Sequence, residues 1–523
     1  YTSDRLTLAC QFSPRKTAQV GPVGGSITGN VTTEQCFPAN RAFRLVSSSV
    51  NSATSIKENW QEGATDYLDN PRPDPDLLDL NTSGYGTHIT GNNTSQTNNI
   101  LNNGFDYNSS GNPSMFTFDN VARTWNSVPN TTDNLIAGQP YRLMIRGDRS
   151  INVLDNETPS TNTKLSTTGN LITGPVSYSA SINTNAGFYS IVGNPYHAQI
   201  NMESVLAGSV NLRENAVYVW DPTVNVRGAY VTVLRSAGNW SNNNSGSDAN
   251  RYLQPMQAVF VETSNLGSPP QVNFRESYKS VSQPQTTVFS TSLENFIQIN
   301  LYSKNSFEDK SYNLDGLKLI FDNNFKEGSQ DDFSKLQNDD ENMARINNGN
   351  FLSAEQRPYP SSEEILPLFF NNYRHSNYVL ELDIADDINF KIFVEDKYLD
   401  QTQEITASAN TYAFTVDASI PDSEASDRFS LVFEPISLSI SDENISNLSL
   451  YPNPTQGNFR ITGRDLEQGA ELEIYNMVGQ KVYKQSISGQ STIEVTDFNA
   501  NTGIYLVKLK TNQGERTFKL IKE

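Results

Sequence analysis

Three histidines, His88, His197 and His375, are the only imidazoles in the chain, and they lie far apart in sequence. No HExxH or related zinc spacing exists, so a satisfied structural histidine is the expectation at each position. "GSVNL" (Gly208 to Leu212) and "GNPSM" (Gly111 to Met115) do not match the GxSxG nucleophile elbow, and the strand, turn and helix that motif needs are missing. "GPVGG" (Gly21 to Gly25) lacks the Lys-Ser/Thr of a phosphate loop and reads as a turn. Neither pattern points to an enzyme, and no catalytic residue is assigned.

Carboxylates are the next chemistry to weigh, because paired Asp or Glu side chains cleave glycosidic bonds in many β-rich proteins. Asp74, Asp76 and Asp79 in "PDPDLLD" cluster in sequence, as do Asp331, Asp332, Asp339, Asp340 and Glu341. Both groups read as solvated acids in loop-like stretches, with calcium as the alternative, since its oxygen ligands often come from Asp-rich loops. No stretch has EF-hand spacing, so no cofactor is expected. "RGD" (Arg146 to Asp148) follows the strand-like "YRLMI" and reads as turn chemistry more readily than as a receptor ligand. Asn-x-Ser/Thr triplets, at Asn92 and Asn239 for example, follow from composition. Trp60, Trp125, Trp220 and Trp240 could stack on sugars, although burial in a core is the commoner use of such rings. Trp60 and Trp240 lie in polar stretches and are the first to consider for that role, Trp220 the last.

The elements that would position these residues are strands. "AFRLVS" (Ala42 to Ser47) opens a series of short apolar or alternating runs, continued by "YRLMIRG", "FYSIVGNPY", "AVYVWDP", "AYVTVLR" and "QAVFVET". Aromatic and β-branched residues at strand length, bounded by Gly, Pro, Asn and Asp, are the pattern of sandwich or barrel strands. Two short helices are expected. One is "SIKENWQEGA" (Ser55 to Ala64), where Ser55 could cap the first turn with Glu58 three residues on. The other is the acidic "SQDDFSKLQNDDENMARI" (Ser329 to Ile346). The expected fold is all-β, with tandem sandwich-like domains ending in a small immunoglobulin-like antiparallel sandwich. Residues 1–285 form a β-rich module divisible into two subdomains, 286–440 a second sandwich, 441–449 a linker and 450–523 a terminal module.

Composition narrows the partners. Of the 523 residues 18% are charged, and the net charge is −20 with an isoelectric point near 4.7. Phosphate backbones would repel such a chain, so nucleic acid is excluded as an expected partner. Mean hydropathy is −0.52 and comes from Asn, Ser, Thr and Gln rather than from charge, as exposed extracellular β proteins have it. The chain starts at Tyr1 and is read as a processed form or a piece of something longer. Its only cysteines, Cys10 and Cys36, lack CxxC spacing. They form either one disulfide or two buried thiols, and an exported chain favours the disulfide.

The most specific signal is "LYPNPTQGNF", which comprises Leu450, Tyr451, Pro452, Asn453, Pro454, Gly457 and Phe459 among its ten residues. Pro452 and Pro454 remove two backbone donors and can block edge pairing. Strand-length runs then follow, with Tyr475 and Gly479 in "LEIYNMVGQKVY", Gly503, Tyr505 and Lys508 in "GIYLVKL", and Lys519 and Lys522 in "KLIKE". The last 21 residues carry five cations against two carboxylates, opposite in sign to the chain as a whole.

These motifs, in this order, resemble the type A C-terminal sorting domain of the type IX secretion system of Bacteroidota. The resemblance implies that these residues, from Leu450 to Lys522, form a signal read by the outer-membrane translocon. It also implies transfer to a shuttle β-barrel, removal by a sortase-like signal peptidase, and arrival outside the outer membrane as a secreted or cell-surface protein. Upstream, "IKENWQEGATD", "AGQPYRLMIRGDRSI", "FYSIVGNPY" and "FVEDKYLDQTQEI" resemble segments of large flavobacterial adhesin-like surface proteins. The reading is a non-enzymatic surface protein, with surface polysaccharide or other surface proteins as its external partners. The alternative is an exported polysaccharide-acting hydrolase or carbohydrate-binding protein.

Overall fold

The computed structural model describes residues 6–13, 15–63, 83–92, 103–106, 110–152, 155, 157–265, 267–283, 295–328, 332–435, 448–463, 466, 468–511 and 514–523. Strands dominate throughout, the helices are short, and the architecture is one of β-sandwich-like layers. The chain divides into two compact units, Tyr1–Pro435 and Ile436–Glu523.

In the first unit the alternating Thr163–Leu171 buries every second residue and pairs antiparallel with Asn30–Phe37. Leu6–Leu8 adds to that sheet in parallel. Cys10 and Cys36 are joined in a disulfide, which ties the strand Cys10–Phe12 to Asn30–Phe37. Of the two readings open to the pair, the bonded one is present.

"AVYVWD" shows why some strands read as continuous apolar runs. All six residues of Ala216–Asp221 are buried, because their five-stranded sheet is covered on both faces. Val217, Val219, Val233, Val259 and Val261 face one core. Ala216, Tyr218, Trp220, Leu234 and Phe260 face another, which also takes Leu45, Ile320, Phe333 and Ala354. Among the described residues, strands before 285 and after 286 do not pair within one sheet, yet they share this second core, and Tyr1–Pro435 is one compact unit.

Between Asn295 and Pro435 an eleven-stranded sheet curls on itself. Alternate residues such as Ile297, Ile299, Leu317, Leu319, Leu380 and Leu382 meet Leu366, Leu368, Ile392 and Leu431 in one shared core.

The helix expected at Ser55 is present as Ile56–Trp60 with a complete capping box. Glu58 N donates to Ser55 Oγ at 3.2 Å, and Ser55 N donates to Glu58 Oε2 at 2.8 Å. The second expected helix is not formed. Its described residues supply the strands Phe333–Ser334 and Asn342–Asn347. Asp339 is exposed, as a solvated acid would be, whereas Asp332, Asp340 and Glu341 are buried. Arg227 and Arg374 both bond Asp340, with Arg374 Nε at 3.0 Å from Oδ1. Glu341 accepts from Tyr378 Oη at 3.0 Å and from Asn225 Nδ2 at 3.1 Å. Partners from distant strands take these carboxylates out of solvent and into an extended backbone. Burial pushes the Asp340 carboxyl up, but the two guanidinium groups outweigh it and hold the carboxyl below its ordinary range.

Candidate sorting site

Seven strands build the terminal unit: β1 (Ser449–Tyr451), β2 (Phe459–Thr462), β3 (Ala470–Asn476), β4 (Lys481–Ile487), β5 (Thr492–Val495), β6 (Gly503–Thr511) and β7 (Gly514–Lys522). They form a three-stranded sheet, β1-β2-β5, and a four-stranded sheet, β4-β3-β6-β7. Alternation along these strands sends Ile461, Leu472, Ile474, Ile493, Val507, Leu509 and Leu520 into one core of the unit's own.

The opening motif clasps the end of the chain. The Tyr451–Pro452 and Asn453–Pro454 bonds are both cis. Between the prolines, Asn453 extends its side-chain amide along the outer edge of β7. Its Nδ2 donates to Lys519 O at 2.6 Å, and Ile521 N donates to its Oδ1 at 2.9 Å. Thr455 continues the seal with its backbone, since Thr455 N donates to Ile521 O at 2.8 Å and Glu523 N to Thr455 O at 2.9 Å. An edge that would otherwise present unpaired donors and acceptors is thereby closed over its last five residues. The prolines flank this strap, and an asparagine and a threonine supply the bonds.

The strap is held from behind. Thr455 Oγ1 donates to Asn458 O at 2.7 Å and accepts from Gly457 N at 3.1 Å. Gly457 sits at φ +134°, where a side chain would be strained. Phe498 N donates to Gly457 O at 2.8 Å. The Phe498 ring meets Phe459 and Tyr505 edge-on, at 6.1 and 5.2 Å between centroids, and Tyr505 Oη donates to Asn501 O at 2.7 Å. Phe498, Thr455 and Asn458 are missing from the residues singled out in the sequence. Thr455 and Asn458 lie inside the LYPNPTQGNF motif, whereas Phe498 has no local signal.

Other predicted residues lie elsewhere on the unit. Leu450 packs against the core, and Tyr451 is exposed with the Arg460 guanidinium 4.3 Å above its ring. Gly479, at φ +80°, turns β3 into β4, and Gly503 opens β6. Lys508 pairs with Glu515, and Lys522 Nζ reaches Glu523 O at 2.8 Å. Tyr475 donates to Glu473 Oε2 at 2.6 Å. Lys481, with Tyr475 beside it, holds the Glu473 carboxyl down at about 2. Asn453→Ala is expected to remove two hydrogen bonds, each contributing about 0.5–1.5 kcal/mol. The Ile521 amide would then exchange with solvent roughly tenfold faster. Amide exchange on the C-terminal peptide checks this, and unchanged protection would show that the seal does not depend on Asn453.

In the first unit the candidate chemistry is tied up in packing. Trp60 and Trp240 are buried, as core aromatics are, and offer no sugar-stacking face despite their polar neighbours in sequence. Trp60 Nε1 donates to Thr167 Oγ1 at 2.9 Å, and its ring meets Tyr141 edge-on. Trp220 is buried too, with Nε1 donating to Phe43 O at 2.8 Å. Trp125 is half-buried against Phe118 and beside Arg142, which pairs with Asp339.

His88 lies at the buried Asp106–Arg149 pair, with Nε2 3.1 Å from Arg149 O. His197 is buried beside Ser49 Oγ at 3.1 Å, and half-buried His375 lies 3.9 Å from Glu341. Asp148 of the RGD triplet is buried and accepts from Gly84 N at 2.6 Å, so the triplet is not displayed. No group of three or more His, Cys, Asp or Glu side chains among the described residues is placed to hold a metal ion. Asp74, Asp76, Asp79 and Asp331 lie outside the described residues. A cavity of about 370 Å³ runs between Phe37–Val46 and Trp220–Thr223 under the loop Asp248–Gln257.

A small sandwich whose first motif locks its last strand is the form of an autonomous C-terminal module. Residues 449–523 match the family described as Secretion system C-terminal sorting domain. The chain is therefore type IX secretion cargo, exported to a secreted or cell-surface location through interaction with that machinery. It is 29% identical over 90 residues to ulvan lyase NLR42 of Nonlabens ulvanivorans, a match covering 17% of this chain and 16% of the lyase. Among solved structures, Salmonella alpha-2-macroglobulin aligns at 10% identity over 78% of this chain and 23% of its own, with a TM-score of 0.16. The E. coli alpha-2-macroglobulin aligns likewise over 78% and 24%, with a TM-score of 0.14. Neither score carries a fold argument.

Proposed function

We propose that the chain is an adhesin-like surface protein without catalytic activity. Its terminal unit engages the type IX translocon and then the outer-membrane shuttle barrel, and a sortase-like peptidase removes it. The observation that carries the proposal is the closed terminal unit, with its own core and its motif clasped onto β7, matched end to end by the sorting-domain family. The non-catalytic half is supported by how the first unit treats its acids. Asp106, Asp315, Glu355 and Asp396 each lie buried against a cation, which leaves them acceptors in structural pairs.

Deleting Leu450–Glu523 is expected to leave the protein in the periplasm, read by fractionation and by surface protease access. Normal surface arrival of the truncated chain would overturn the sorting role. The second reading, a polysaccharide-acting enzyme, has the partial likeness to an ulvan lyase in its favour. Release of unsaturated or reducing ends from ulvan by the purified chain would replace the non-catalytic reading with that one.

A further inference from the structure

Of the seven large apolar side chains exposed among the described residues of the terminal unit, six belong to one sheet. Met477, Val478 and Val482 stand at the β3–β4 turn and on β4, and Ile504, Leu506 and Ile521 on β6 and β7. Register places them together, since Ile504 lies opposite Ile521, and Leu506 opposite both Tyr475 and Lys519. The other end of the same outward face is charged and self-neutralised. There Lys484 pairs with Glu471 and Glu473, and Lys508 and Lys510 with Glu515, while Lys481, in the row of Leu506 and Lys519, reaches back to Glu473. Lys519 stands at the border of the apolar end without an ion-pair partner among the described residues.

A sandwich of this size has no structural need to hold six apolar side chains in water on one sheet, and such a patch is the usual mark of a protein contact. We infer that the apolar end of this sheet, centred on Ile504, Leu506 and Ile521, docks a protein of the export machinery that presents an apolar surface rimmed by carboxylates. The carboxylates follow from charge complementarity, because Lys519 is an exposed cation at the border of the apolar end that no carboxylate among the described residues pairs with. The inference rests on the sorting role of the unit and names the face that performs it.

The test uses the full chain in cells that export it. Ile504→Asn/Leu506→Asn is expected to cut surface arrival at least about tenfold, equivalent to roughly 1.4 kcal/mol of lost recognition. Lys519→Glu is expected to cut it about threefold. Glu494→Gln, on the opposite sheet, should be exported normally. Thermal unfolding of each purified chain separates lost recognition from lost folding, and Ile521→Lys is the second variant should the first fail to fold. Full export of the apolar variants while the Leu450–Glu523 deletion is retained overturns the face and leaves the sorting role standing. Export of the deletion itself overturns the role. Normal export of Lys519→Glu overturns the acidic rim. Self-association of the purified wild-type chain that Ile504→Asn/Leu506→Asn abolishes overturns the occupant, because the face would then hold a second copy.

Discussion

Arg428→Met is expected to destabilise the first unit by about 3–5 kcal/mol, the cost of leaving a buried carboxylate without its cation. Arg428 and Asp396 are both fully buried at the side chain, and the pair is bidentate. Nε donates to Oδ1 at 2.8 Å and Nη2 to Oδ2 at 2.6 Å. The remaining Arg428 donors reach Thr415 O and Ser423 O, and Tyr412 Oη donates to Asp396 Oδ2 at 3.0 Å. One side chain thus links the strands Phe390–Asp396, Thr411–Thr415 and Phe429–Pro435. Burial pushes the Asp396 carboxyl up, but Arg428 more than offsets it and holds the carboxyl below its usual range. A depressed folded value contributes stability that is present above the ordinary carboxylate range and lost as pH falls through the folded value. In the Met variant that term disappears, and Asp396 is driven to take up a proton. Arg428→Met/Asp396→Asn is therefore expected to recover part of the loss. All four tryptophans lie in the first unit, so urea unfolding followed by their fluorescence reports that unit alone. Equal stability of wild type and Arg428→Met would show that the pair is solvated in solution.

Elements whose deciding interactions are local are legible in the sequence. The capping box at Ser55 and Glu58 spans three residues, so the pattern and the bonds coincide. The strands of the terminal unit show their period-two alternation because one face of each sheet meets a core and the other meets water.

Side chains whose partners come from far along the chain leave no such local pattern. Asp340 and Glu341 sit in a run that is compatible with an exposed helix. The cations that bury Asp340 lie 113 and 34 positions away, and nothing local announces them. The burial of Trp60 has a related cause, since its neighbours are polar helix residues while its indole Nε1 reaches Thr167, 107 positions on. The opening motif of the terminal unit was half legible. Two prolines announce a segment that blocks strand pairing. That Asn453 would grip β7, 66 positions downstream, follows only from the fold.

His197 supplies a pH response that no local pattern around it announces. The segment Gly193–Ile200 is buried throughout, and the His197 carbonyl accepts from Val20 N at 2.8 Å, so the ring has no route to water. Burial pushes the imidazole down to about 4, with the Lys279 ammonium adding to the shift against a backbone contact from Ala18. In the unfolded chain the same group titrates near the ordinary 6.5. The unfolded state therefore binds the proton first, and stability is lost as pH falls from about 6.5 towards about 4. Between pH 7 and pH 4.5 this one group should lower the unfolding free energy of the first unit by about 2.5 kcal/mol. His197→Gln removes the titration whatever it does to stability at pH 7. The expected result is that the fall between the two pH values shrinks by that amount in the variant, measured by urea unfolding with tryptophan fluorescence. An identical fall in both proteins would mean that the imidazole is already hydrated in the folded state.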